Sequence, residues 1–167
     1  MVSPDGFELR FAVNYLAAFW LTERLRSAVA GPDLVNVVSG ALHPIDPDDL
    51  MTTRDYTGAA AYGRSKLALV MHARQQAADA GCRAGCVNPG WYLPTGMHRP
   101  GRPVRDDVAS GVRRILAAVD AVLEADAEHR FQVHGSPMRI PPEAEDPHRW
   151  RALRAASLDL VHAALNR

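Results

Sequence analysis

Leu34-Val35-Asn36-Val37-Val38-Ser39-Gly40 is the stretch on which the fold turns. It is a short β-branched run, bounded by Gly31-Pro32 ahead and Ser39-Gly40 behind, and reads as a buried strand. Upstream, residues 7–30 place Phe7, Phe11, Val13, Leu16, Phe19, Trp20, Leu25 and Val29 at helical spacing, with Asp5 as the expected cap. Downstream, Ala59 to Ala80 reads as a second helix ended by Gly81, and Ala84 to Val87 as a second strand running into Asn88-Pro89-Gly90. A third helix is predicted over about 106–123, with Asp106 and Asp107 in its first turn and Val108, Val112, Ile115, Leu116, Val119 and Leu123 facing inward. Arg130-Phe131-Gln132-Val133-His134 is a weak third strand, and 147–166 a closing amphipathic helix. Such alternation predicts an α/β fold with a short parallel sheet of about three strands and about four helices. Residues 42–58, rich in Pro and Asp, make a loop too long for a mere connector and are expected to serve a site.

Composition narrows the function. The 167 residues suit one domain, expected to span 1–167. Lys plus Arg number 19 and Asp plus Glu number 19, so no net charge draws the chain to nucleic acid or an anionic membrane, and neither is an expected partner. No long apolar run and no leader-like start occur, which predicts a cytoplasmic protein. Cys82 and Cys86 read as structural thiols, and the seven histidines show no metal-ligand spacing, so no metal is expected. Beneath the balanced charge lies an asymmetry: Lys66 is the one lysine, and every other basic side chain is arginine.

Lys66 closes the run Tyr62-Gly63-Arg64-Ser65-Lys66 at the start of the second helix. A spacing of four puts phenol and ammonium on one helix face, where the cation favours phenolate and makes Tyr62 a usable general acid/base. Lysine offers a compact ammonium on a flexible stem, which arginine cannot. An isolated Tyr-x-x-x-Lys is more often two surface residues, but its surroundings point elsewhere. Ser39 ends a buried strand at the edge where open α/β sheets place ligands. Asn14 is an amide inside an apolar helix, where a polar group demands a partner. Asn88-Pro89-Gly90-Trp91-Tyr92 follows the second strand at that same edge.

With those residues in that order, the chain resembles the C-terminal half of a short-chain dehydrogenase/reductase, nearest the retinol dehydrogenase-like branch. Phe11-Ala12-Val13-Asn14 is similar to the family's fourth helix, Val35-Asn36-Val37-Val38-Ser39 to its serine strand, Ala61 to Leu69 to its Tyr-x-x-x-Lys helix, and Asn88-Pro89-Gly90 to its Pro-Gly turn. The resemblance implies a truncated Rossmann-like three-layer fold. It implies Tyr62 as acid/base, Lys66 as the cation tuning it, Ser39 as hydrogen bonder to a carbonyl or alcohol oxygen, and Asn14 as anchor of a proton-relay water. His43, Trp91, Tyr92 and the 42–58 loop are expected to wall a small-molecule pocket, with Thr95 as the family's threonine after Pro-Gly, one residue late. Two departures, Tyr15-Leu16-Ala17 for the family's His-Leu-Gly and Val38-Ser39 for its paired serine, are expected to put apolar bulk into the site.

No Gly-x-Gly-x-x-Gly loop follows any strand, so no cofactor is expected to be bound by this chain itself, and no NAD(P) site. The expected function is redox-neutral acid/base catalysis on a carbonyl compound: cyclisation, dehydration, isomerisation or an aldol-type step, in bacterial specialised metabolism. The alternatives are an NAD(P)-dependent oxidoreductase subunit completed by a separate nucleotide-binding chain, and a non-catalytic remnant or binding subunit. An exposed first strand and uncovered helix faces predict a homodimer, formed through the first two helices as the family forms its four-helix bundle or through the strand edge.

Overall fold

The computed structural model describes residues 1–28, 33–78, 82–98, 101–124 and 131–166. The first helix, α1, opens with a π-helical stretch, Phe11–Leu16, and continues as α-helix over Ala17–Ala28. Ahead of it Val2 bridges Glu8, and the Glu8 carboxylate accepts the Phe11 N–H at 2.8 Å. Glu8, rather than the expected Asp5, therefore satisfies a donor that every helix start leaves open. Helix α2, Gly58–Ala78, is seated by Thr57, whose hydroxyl accepts the Ala60 N–H at 3.0 Å. Val29, Gly31, Pro32, Gly81 and Arg130, all used in the reading above, lie outside the described residues.

Three parallel strands form the sheet: β1 Leu34–Val37, β2 Ala84–Asn88 and β3 Phe131–Val133, in that spatial order. Leu34 pairs with Ala84, Val37 with Val87, and Cys86 with Phe131. A fourth strand, β4 Ser136–Pro137, folds back antiparallel on β3 through His134-Gly135. Both turn residues have positive φ, 55° and 78°, the backbone that a two-residue hairpin needs. The sequence reading stopped at three strands because histidine is a weak signal for that turn.

Strand alternation sends neighbouring residues to opposite faces. Asn36 donates to the Leu69 carbonyl at 3.0 Å, and Cys86 lies against that same carbonyl, so both face α2. Val87 points the other way, toward α3, Val108–Leu123, whose buried residues are Gly111, Ala118, Ala121 and Val122. The sheet thus lies between helices on both faces, the three-layer α/β arrangement expected. Helix α4, Pro147–Leu165, is capped by Asp146 and completes the α1/α2 layer, where the Tyr15 hydroxyl meets Ser157 at 2.9 Å and Arg154 pairs with Glu23.

Helix α3 departs from its reading. Asp107 alone is the cap, taking the Ser110 N–H at 2.7 Å. The small residues pack on the sheet, whereas Val108, Val112, Leu116 and Leu123, expected inside, are 46%, 48%, 57% and 47% exposed. The flank carrying Ser110, Arg113, Ala117 and Asp120 looks toward Gln132 of β3 and Gly135 of the turn that follows it. Since α3 also packs on β1, helical geometry puts the apolar flank on the β1 side. β1 pairs with β2 alone among the described residues, and its Val37, on the α3 face, is 44% exposed.

Candidate active site

The strands end at one edge, and there the chemistry-bearing residues collect. Lys66 reaches from α2 to the end of β1, donating from Nζ to the Val37 carbonyl at 3.0 Å. Its ammonium stands 5.8 Å from the Tyr62 ring centroid, one helical turn back. Partial burial lowers the Lys66 pKa below its ordinary value, because withdrawal from water disfavours the charge. Ser39, two residues beyond Val37, is buried, and its oxygen accepts the Ala41 N–H at 3.1 Å. No hydrogen bond joins Ser39 to Tyr62 among the described residues.

Close packing holds the walls. Gly63 gives way to His43: a Cβ there would lie 2.4 Å from the imidazole Cδ2, so the glycine lets the 42–58 loop press against the helix beside Tyr62. Gly40 does the same for Trp91, whose ring would meet an added Cβ at 2.7 Å. Trp91 therefore sits over the residue following Ser39. Its backbone N–H donates to Asp106 at 2.7 Å, the largest of the effects that lower the Asp106 pKa, and Arg114 bonds both Asp106 (3.0 Å) and the Pro89 carbonyl (2.7 Å).

Other expected residues lie apart. Asn14, in the π-helical opening of α1, donates to the Ser65 hydroxyl at 3.0 Å, and Ser65 donates to the Tyr62 carbonyl at 2.7 Å. Asn14 thus reaches the backbone of Tyr62 through Ser65. Tyr92, with φ of 49°, has Arg102 and Arg105 over its ring at 5.9 and 5.4 Å, and Thr95 stands exposed in a turn of its own. Tyr15 and Val38, expected to crowd the site, instead enter the core shared by α1, α2 and α4. Beyond His43, the loop residues Ile45, Pro47 and Leu50 line a cavity of about 300 Å³ with Met71 and Leu153, away from Tyr62.

Asn88 was passed over in the sequence as part of the Pro-Gly turn. It is buried, its Oδ1 accepts the Gly90 N–H at 3.2 Å, and its Nδ2 has no partner among the described residues. An orphaned buried donor costs free energy unless something takes it up. An amide ending a buried strand was the available signal.

The strand-end glycines are closely covered: the space at Gly40 holds the Trp91 ring, and that at Gly90 holds the Asp106 carboxylate and the Arg114 guanidinium. Among the described residues, no three His, Cys, Asp or Glu side chains cluster to hold a metal ion. No helix there is long and apolar enough to cross a membrane.

No family model matches the chain. Its curated relatives are nonetheless consistent in kind. It is 41% identical over 101 residues to a Streptomyces lividans protein named "Probable oxidoreductase", a match covering 55% of this chain and 34% of that protein. Retinol dehydrogenase 14 of Homo sapiens is 38% identical over 82 residues, covering 46% of the chain and 24% of the relative. Retinol dehydrogenase 13 of Homo sapiens is 36% identical over 185 residues, covering 95% of the chain and 55% of the relative. The chain thus spans about half, or less, of the length of the relatives it matches.

Proposed function

We propose, from the premise that this chain is a homologue of the short-chain dehydrogenases/reductases, that it performs redox-neutral acid/base catalysis on a carbonyl-containing small molecule. The observation that carries this reading is the Lys66 ammonium held on the Val37 carbonyl beside the Tyr62 ring, at the strand end that leads into Ser39. Tyr62 exchanges a proton with the substrate oxygen or its α-carbon. The Lys66 charge favours the phenolate, and the Ser39 hydroxyl meets the developing oxyanion; steps of this kind are worth roughly 10²- to 10⁴-fold each. Asn14 acts through Ser65 on the placement of Tyr62 rather than on substrate.

Deuterium uptake at the α-carbon tests this, followed by NMR on a panel of simple ketones and aldehydes incubated with the chain in D₂O. Tyr62→Phe is expected to slow exchange by about a hundredfold or more. Exchange that is equally fast without the phenol removes Tyr62 from the role.

The relatives' names favour a second reading, an oxidoreductase whose nucleotide is held by a separate chain. In that case a nucleotide-binding partner confers reduction that the isolated chain lacks. Under either reading the apolar flank of α3 and Val37, beside the unpaired β1 edge, form one surface that a soluble protein covers. We assign its cover to a second copy, pairing strand edges across a two-fold axis.

A further inference from the structure

We infer, on the reading that a carbonyl compound is turned over at the strand edge, that this compound carries a carboxylate or phosphate group and that Arg102 and Arg105, gathered on the Tyr92 ring, bind it. Both guanidinium groups lie over that one ring, their carbons 5.9 and 5.4 Å from its centroid. Neither has an acidic partner among the described residues, whereas Arg10, Arg54, Arg74, Arg83, Arg114 and Arg154 all do. The surrounding sequence supplies none: residues 84–105 hold Arg99, Arg102 and Arg105 but no Asp or Glu, in a chain whose charges balance. The acids that follow are already engaged, Asp106 by the Trp91 N–H and Arg114, and Asp107 as the cap of α3. Two cations drawn to one ring repel each other, and an anion between them turns that repulsion into attraction.

The platform is held in place from both sides. Trp91 packs on Gly40 and Leu93 on Gly111, where an added Cβ would lie 2.7 and 3.3 Å from those side chains. Tyr92, pinned between them, is 39% exposed and has a positive φ of 49°. Left-handed backbone is costly for a tyrosine, and such strain gathers where ligands are clamped. The backbone of Arg102 is fixed in turn by His98, whose Nε2 lies 3.0 Å from its carbonyl oxygen. An oxyanion between the two guanidinium forks receives charge-assisted hydrogen bonds from both. Trp91, which precedes Tyr92, covers the residue following Ser39, so the anchored molecule passes Trp91 to bring its carbonyl to Ser39 and Tyr62. Anion and carbonyl therefore belong at opposite ends of an elongated substrate, and no bond to the anion forms or breaks.

The test is an NMR titration of the purified chain with 6-oxoheptanoate and 9-oxodecanoate, each beside its methyl ester, and with 5-oxohexyl phosphate beside its parent alcohol. At least one anionic ketone should bind about tenfold more tightly than its neutral counterpart, and the advantage should shrink in high salt. Replacing both exposed arginines, Arg102→Gln with Arg105→Gln, should remove it while the circular dichroism spectrum stays unchanged. Equal binding of anionic and neutral ketones, an advantage that survives the double substitution, or no binding of any anionic ketone overturns the inference. Deuterium exchange separates it from the reading on which it rests. Arginine-dependent binding with exchange that ignores Tyr62→Phe leaves the anion site standing and removes the acid/base role. Tyr62-dependent exchange that is as fast on the neutral ketones removes the anion site alone.

Discussion

His72 shows how a single residue can set the conditions under which the whole layer of helices survives. It is buried, with the rings of Tyr15 and Phe19 edge-on at 6.4 and 5.6 Å and neither ring nitrogen hydrogen-bonded among the described residues. Burial depresses its pKa from about 6.5 to about 4, opposed by Glu23 and reinforced by Arg26 and Arg154. The unfolded chain therefore binds a proton between those two values while the folded chain does not. Stability should be full above about pH 6.5, decline as the pH falls toward 4, and lose about 3 kcal/mol over that window. Urea unfolding at pH 7 and pH 4.5 checks this; His72→Phe should flatten the dependence. Leu67→Ala, at a fully buried position, should cost about 2–5 kcal/mol at either pH. Residue types told much at this scale: the strand-end serine, the helical Tyr and Lys and the mid-helix Asn stood out because polar groups in apolar runs need a reason. Their directions did not, because the turn of Tyr15 toward Ser157 depends on where α4 docks, a long-range contact absent from local pattern.

At the scale of elements, the two glycines that admit His43 and Trp91 decide how closely loops approach the sheet edge. Gly40→Ala should push the Trp91 ring away from the residue following Ser39, at roughly 1–3 kcal/mol of stability, with a red-shifted tryptophan emission reporting the loss of packing. An unchanged spectrum, read in a chain with Trp20 and Trp150 replaced by Phe, contradicts the contact. Sequence pattern located α1 to α4 and β1 to β3 among the described residues. It named the wrong inward face for α3, because amphipathic pattern says that Val108, Val112, Leu116 and Leu123 share a flank without saying what covers it. β4 was missed for a different reason: two residues cannot carry an alternation, and their turn is built on a histidine.

For the whole molecule, the proposal is that a second copy covers the apolar α3 flank and the β1 edge left unpaired among the described residues. Sedimentation of the purified chain should show a dimer, and Leu116→Glu, at an exposed position, should yield folded monomers. A wild-type chain that is monomeric and folded at micromolar concentration contradicts the second copy. The account's central proposal is that this chain supplies proton chemistry without holding a dinucleotide of its own, at a strand edge where Trp91 covers Gly40 and Asp106 covers Gly90. Calorimetric titration with NADH and with NADPH tests it most directly: the account predicts no saturable heat, and binding at micromolar concentration would contradict it.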